Sequence, residues 1–345
     1  MFFTSEWSRV RVVFGVGVVS RLGAELDALG IARPLLVTTP GRAQGLAAVR
    51  EPIGDRLAGV CDRAALHVPV ERVRAALTVI DRSSPDALLA VGGGSAIGLA
   101  KAAALERLLP IVAVPTTYAG SEMTSIWGVT DGEVKRTGRS SGVAPRLVVY
   151  DPDLTLSLPP DVSAASGMNA IAHAVEAMYA AGAGPIATAA AEEAIRLLAR
   201  ALPAVVEAPG DRVPRAVALR GAHAAGVALE LAAMGLHHKI CHVLGGTLGL
   251  PHAPTHAAVL PHVAAFNTPA APEAMARVAG ALGVEDAAAG LRHLNRSLGL
   301  TASLGTLGFR AEDVDRAADL ITAAAYANPR PVTRDDVRLL LRQAL

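Results

Sequence analysis

The stretch Asp86-Ala-Leu-Leu-Ala-Val91 runs directly into Gly92-Gly93-Gly94-Ser95, and from there into the helix-forming run Ser95 to Glu106. Five apolar residues closed by a glycine triplet predict a buried strand, a tight turn and a helix whose first amides lack intrahelical partners. Glycine permits close approach of an anion, Ser95 adds a hydroxyl donor, and the helix dipole favours negative charge at that end. Gly93, Gly94 and Ser95 thus suit a phosphate-bearing ligand. The loop is neither GxGxxG nor the GxxxxGK[ST] of a P-loop, so a plain strand-to-helix turn stands beside that reading.

Outward from this unit the pattern repeats. Val10 to Phe14, Pro34 to Thr38, Ile111 to Val114 and Leu147 to Tyr150 read as strands, and Val70 to Ile80 as a helix, which together predict a parallel sheet with crossover helices. After the strand at 111–114, the hydroxyls of Thr116, Thr117 and Ser121 gather at a strand's C-terminal end, where open α/β sheets bind ligands. A turn satisfying its own backbone is the plainer alternative for any one of them. From Pro159 onward strand-like runs disappear, and Ala, Leu, Glu and Arg dominate to Leu345, the composition of helices packed on helices. The seam lies between Asp151-Pro152-Asp153 and Pro159-Pro160-Asp161. The expected fold class is α/β followed by all-α: a Rossmann-like dinucleotide-binding domain at 1–156 and a helical substrate and catalytic domain at 157–345.

Charge and composition narrow the function classes. The 345 residues carry 32 Lys plus Arg against 31 Asp plus Glu, so no basic excess exists to bind a nucleic-acid backbone. Cys61 and Cys241 cannot form a disulfide framework and neither sits in a CxxC pair, which fits a reducing, cytoplasmic location. Glu6 interrupts the apolar stretch that a secretory leader would need. The charge-free run from Ile240 to Pro272 contains internal prolines and four histidines, which argues against a membrane helix.

Six of the ten histidines fall between His237 and His262. In a helix, His238 and His242 share one face, the spacing of metal ligands or of a proton relay. His252 follows a Gly245-Gly246 break and is placed to return to the same pocket. Upstream, Asn169 and His173 repeat the four-residue spacing. Four imidazoles in one core would strand donors and acceptors unless a site required them. His67, His223 and His293 read as ordinary core histidines.

On Ile111 to Thr124, Ser166 to Glu176 and His237 to Gly246, the chain resembles the iron-containing alcohol dehydrogenase superfamily over essentially its whole length and, within it, the maleylacetate reductases. In the metal-dependent members an Asp and three His hold the ion, and this resemblance maps those positions onto Asn169, His173, His238 and His252, with His242 as a further active-site histidine. The acid is missing here, so a divalent cation loses its anionic ligand. Maleylacetate reductases are understood to work without metal. The resemblance implies NADH or NADPH as cofactor, contacted by Gly93, Gly94, Ser95, Thr116, Thr117 and Ser121, with Lys135 near the nicotinamide ribose, and a homodimer as the assembly; Thr38, a hydroxyl at the end of the second strand, is a further candidate cofactor contact.

The implied substrate is a small dicarboxylate, with Tyr118 and Asn169 as contacts and His173, His238, His242 and His252 as catalytic groups; Lys239, inside the histidine stretch, is a candidate anchor for a carboxylate, with a solvent-facing side chain one step from His238 as the plainer alternative. Arg139, after a strand at 124–129, is a further candidate anchor. Reducing an enone yields a delocalised enolate that placed donors can steady, whereas an isolated carbonyl benefits from a Lewis acid. Pro254 stands where maleylacetate reductases carry an acid, which leaves room for a related unsaturated oxo-acid, and Val37 to Gly41 offers no acid to select NADH over NADPH. Two other readings compete: a metal-dependent alcohol dehydrogenase, and a lyase like dehydroquinate synthase, which shares the two-domain plan but would require an acidic metal ligand and more lysines.

Overall fold

A computed structural model describes residues 10–42, 46–132, 134–301 and 303–345. The chain divides into two compact units at Leu158/Pro159. The first contains, in order, β1 (Arg11–Phe14), α1 (Leu22–Ala28), β2 (Pro34–Val37), the short α2 (Ala47–Arg50), β3 (Gly59–Cys61), α3 (Val70–Ser83), β4 (Ala87–Gly92), α4 (Gly94–Arg107), β5 (Ile111–Pro115), β6 (Ile126–Asp131), β7 (Val134–Arg139) and β8 (Leu147–Tyr150).

Six strands form one parallel sheet in the order β1-β8-β5-β4-β2-β3. Strands β2, β5 and β8 are buried along their whole length, as expected where helices cover both faces, and Leu36, Leu89, Val112 and Val149 meet in one core with Leu22 and Leu26 of α1. The connection from β2 runs outward to β3 while that from β4 runs the opposite way to β5. The strand order therefore reverses between β2 and β4, the position at which doubly wound sheets open a ligand crevice at their C-terminal ends. The glycine loop leaves β4 at that point.

Two features depart from the sequence reading. Strand β3 is only three residues long, too short to register as a hydrophobic run. Strand β6 begins at Ile126 and pairs antiparallel with β7, so Arg139 ends a hairpin strand, opposite Ile126, rather than following a lone strand.

The second unit is helical: α5 (Pro160–Tyr179), α6 (Pro185–Glu207), α7 (Arg212–Leu231), α8 (Leu236–Leu248), α9 (His252–Asn267), α10 (Pro272–Leu282), α11 (Ala287–Ser297), α12 (Val314–Thr322) and α13 (Arg334–Ala344). Helix α5 is buried from Ser163 to Met178, and Gly167 lets Leu202 of α6 lie where a Cβ would stand 2.4 Å from its Cδ2. Helices α8, α9, α12 and α13 share a core of Leu236, Ile240, Val259, Ile321 and Leu341. Gly245-Gly246 does not interrupt α8, which continues to Leu248 and ends on the left-handed Gly249. Among the described residues no single helix is long and apolar enough to cross a membrane; α7 and α8 reach that composition only together, across a 101° bend.

Candidate active site

In the sheet unit, the two hydroxyl-bearing loops are neighbours because β4 and β5 pair, with Gly92 opposite Pro115 and the Thr116 amide donating to the Gly92 carbonyl at 3.1 Å. The amides of Ala96 and Ile97 donate to the Gly93 carbonyl, which leaves those of Gly94 and Ser95 at the open helix start. A Cβ at Gly93 would lie 2.7 Å from Thr117 Cγ2, whereas one at Gly94 would meet nothing within 4 Å. Gly93 thus lets the loops abut, and Gly94 faces open space. The Ser121 hydroxyl is buried with no hydrogen-bond partner among the described residues. A cradle with open amides and a spare hydroxyl fits the pyrophosphate of a dinucleotide.

Beneath this loop lies a support that sequence inspection missed. The fully buried Lys101 of α4 donates to the carbonyls of Ser121, Thr124 and Ile126 at 2.7, 2.6 and 3.0 Å, and to Thr124 Oγ1 at 2.9 Å. Thr38 is buried at the end of β2, tied through its backbone to Cys61 and Ala64, so the exposed edge of that loop starts at Thr39. Tyr118 is a correction to the expected substrate set: it is wholly buried in the sheet unit, 3.5 Å from the Thr155 hydroxyl, because its ring fills the core under the loop. Lys135 is half-buried on β7, opposite Thr130.

In the helical unit, six histidines converge. His173 and Asn169 stand on α5, His237, His238 and His242 on the first two turns of α8, and His252 and His256 on the first two turns of α9. His173 Nδ1 lies 2.6 Å from His238 Nε2, and His238 Nδ1 lies 2.5 Å from Glu176 Oε2. A second pair, His237 Nε2 and His256 Nδ1, is joined at 2.9 Å. His252 packs edge-on against His256 with centroids 4.5 Å apart, and His242 against His238 at 6.1 Å. The expected quartet is therefore brought together, and His237, His256 and Glu176 belong with it. His293, by contrast, is exposed on α11 rather than in a core.

Glu176 sits three residues after His173 and accepts the backbone amides of Gly235, His237 and His238 at 3.0, 2.8 and 3.3 Å. It closes the N-terminus of α8, where the helix dipole favours a carboxylate. Burial acts the other way and raises the Glu176 pKa above the usual carboxylate value. Burial also holds His173 and His256 well below the ordinary imidazole value and brings His237 down to about 3, so these rings are neutral at pH 7. The Asn169 oxygen is buried with no partner among the described residues. Lys239 is half-buried one residue along from His238. Pro254 falls in the first turn of α9, where its missing N–H costs no helical hydrogen bond; only a charge is lost there.

The two family models that match the chain are the iron-containing alcohol dehydrogenase model over residues 9–152 and the Fe-containing alcohol dehydrogenase family C-terminal model over 163–345. The chain belongs to the iron-containing alcohol dehydrogenase family. It is 48% identical to a maleylacetate reductase of Burkholderia cepacia, over 97% of this chain and 95% of that one. It is 50% identical to maleylacetate reductase 2 of Cupriavidus pinatubonensis, over 99% and 96%. The crystal structure of maleylacetate reductase from Agrobacterium tumefaciens superposes with a TM-score of 0.94 at 42% identity, covering 100% of this chain and 98% of that one. The chain is an oxidoreductase of this fold.

The donor set does not fit the iron that gives the family its name. Asn169, His173, His238 and His252 are a neutral amide and three imidazoles, with no anion to balance a divalent charge. Two nitrogens bound tetrahedrally to one ion at 2.0–2.1 Å stand about 3.4 Å apart, whereas His173 Nδ1 and His238 Nε2 are at bonding distance from each other. His237, Cys241 and His256 bring ligand atoms within 4.8 Å of one another, but their nitrogens are likewise engaged with each other.

Proposed function

We propose that this enzyme reduces the carbon–carbon double bond of maleylacetate (4-oxohex-2-enedioate), or of a close unsaturated oxo-acid, to the saturated 3-oxo-acid, using NADH or NADPH and no metal. The observation that carries this reading is Asn169 in place of an acid, beside imidazoles already engaged with one another and with Glu176. Gly93, Gly94, Ser95, Thr116, Thr117 and Ser121 would hold the cofactor pyrophosphate and ribose, and Lys135 the nicotinamide end. When bound, the cofactor supplies a hydride to the alkene carbon beta to the ketone.

The charge that develops is an enolate. Imidazole N–H donors of the cluster steady its oxygen, and a proton delivered next to the ketone gives 3-oxoadipate from maleylacetate. Buried, neutral histidines suit this role because they are donors that carry no positive charge to be desolvated. Asn169 and Lys239 are the proposed contacts to the substrate carboxylates, and His242 and His252 complete the cluster. A homodimer acting in the cytoplasm, with no nucleic-acid or membrane partner, completes the proposal. The edge strand β1 leaves Val12 and Phe14 exposed for pairing.

The test is steady-state oxidation of NADH and of NADPH with maleylacetate and with simple aldehydes, each with and without EDTA. Turnover of maleylacetate unaffected by EDTA supports the reading. Activity confined to aldehydes, or abolished by EDTA, refutes it.

A further inference from the structure

We propose that Glu176 is the proton reservoir of the site and that its proton reaches the substrate through His238 and then His173, with His173 Nε2 as the delivering atom. This rests on the enone-reductase reading above and adds to it a specific donor chain. The three groups are in series: Glu176 Oε2 to His238 Nδ1 at 2.5 Å, and His238 Nε2 to His173 Nδ1 at 2.6 Å. The two ring planes are within 23° of parallel with centroids 4.7 Å apart, and the facing nitrogens are at hydrogen-bond distance. All three groups are buried, Glu176 at 0% exposure, His238 at 5% and His173 at 6%, so Glu176 is the enclosed end of the series.

The chain has two forms that differ by one proton, and neither contains an imidazolium. In the loaded form Glu176 is a carboxylic acid donating to His238 Nδ1, His238 Nε2–H donates to His173 Nδ1, and His173 Nε2 carries a hydrogen. When that hydrogen passes to the enolate, a C–H or O–H bond forms on the substrate and the His173 Nε2–H bond breaks. His173 Nδ1 takes the hydrogen from His238 Nε2, and His238 Nδ1 takes the hydrogen from Glu176. The product gains one proton and Glu176 ends as a carboxylate. The negative charge thus moves from the enolate to an oxygen pair that already faces three backbone amides at the start of α8 and now accepts His238 Nδ1–H as well. A buried cation, which would be costly in this apolar setting, never forms. Glu176 touches neither substrate nor cofactor and acts as a positioning residue through His238; His173 is the catalytic residue.

The experiment pairs activity with proton position. In histidine-¹⁵N-labelled wild-type protein, NMR is expected to show a far-downfield N–H proton on the His238–His173 link and a far-downfield carboxyl O–H proton, without ¹⁵N coupling, on the Glu176–His238 link, the latter lost in Glu176→Gln. With maleylacetate and NADH, Glu176→Gln is expected to lower kcat about a hundredfold while KM for maleylacetate changes less than about threefold. His238→Ala breaks the middle link but leaves the Glu176 contacts to the α8 amides, and is expected to give the same loss. The double variant should lose no more than either single one, since the groups act as a unit. Additive losses, a Glu176→Gln or His238→Ala enzyme within threefold of wild-type kcat, or absence of the downfield protons in the wild type would overturn the relay. If Glu176→Gln does not fold, His238→Ala and the wild-type spectrum decide. Failure of the wild type to turn over maleylacetate would instead refute the substrate reading, and the spectrum would still judge the chain.

Discussion

Gly93 shows how one missing side chain sets a binding loop. Its Cβ would press on Thr117 Cγ2 at 2.7 Å and Oγ1 at 2.9 Å, and Thr117 is too short to swing clear without moving its backbone. Gly93→Ala is expected to raise KM for the dinucleotide about tenfold, equivalent to about 1.4 kcal/mol, and to lower thermal stability as well, because the loop backbone must move to relieve the contact. A cofactor titration by fluorescence checks this, and an unchanged affinity would remove the loop from the binding site. At the same scale, most of the imidazole cluster was legible in the sequence because six histidines within twenty-six residues demanded a common cause. His237, His256 and Glu176 were given no site role from sequence for a physical reason. Helical spacing shows which residues share a face, but not which face of α8 meets α9, and a carboxylate capping another helix from afar leaves no local pattern.

At the scale of elements, the strands on either side of the glycine loop were readable because burial on both faces leaves an uninterrupted apolar run. The three-residue β3 and the hairpin partner β7, whose exposed residues are mostly polar, left no such trace. Gly245-Gly246 was misleading: tertiary packing carries α8 through it, overriding weak helix propensity. Helix α4 does more than follow a strand, since Lys101 ties its middle to the loop at 121–126. Lys101→Met would strand three carbonyls and is expected to destabilise the protein by about 3 kcal/mol or more, read as a lower urea midpoint, and to weaken cofactor binding in parallel. The end of α4 offers the opposite change. Leu108 is exposed and holds φ 49, so Leu108→Gly is expected to stabilise by about 1 kcal/mol; a lower melting temperature in that variant would contradict the strain argument.

At the scale of the whole molecule, each unit has its own apolar core, and the two sets of site residues divide between them: hydroxyls and glycines in the first, imidazoles in the second. Burying neutral histidines links stability to pH. His237 titrates at about 3 in the folded protein against 6.5 for a free imidazole, and burial lowers His256 as well. The unfolded chain therefore binds protons that the folded one refuses as pH falls below 6.5, and folding stability declines from there toward pH 3. Its slope reaches about 3 kcal/mol per pH unit when both rings contribute. Urea unfolding at pH 7.5, 6 and 5 tests this; a midpoint that does not fall across that window would show that these rings are already charged in the fold.

The central claim is that imidazoles and Glu176, rather than an ion, carry the negative charge of the reaction. It is tested most directly by measuring the iron and zinc content of protein purified without chelators, alongside its turnover of maleylacetate before and after exhaustive EDTA dialysis. The account predicts full turnover with far less than one ion per chain. One equivalent of iron or zinc, with activity lost on its removal and regained on its return, would contradict it.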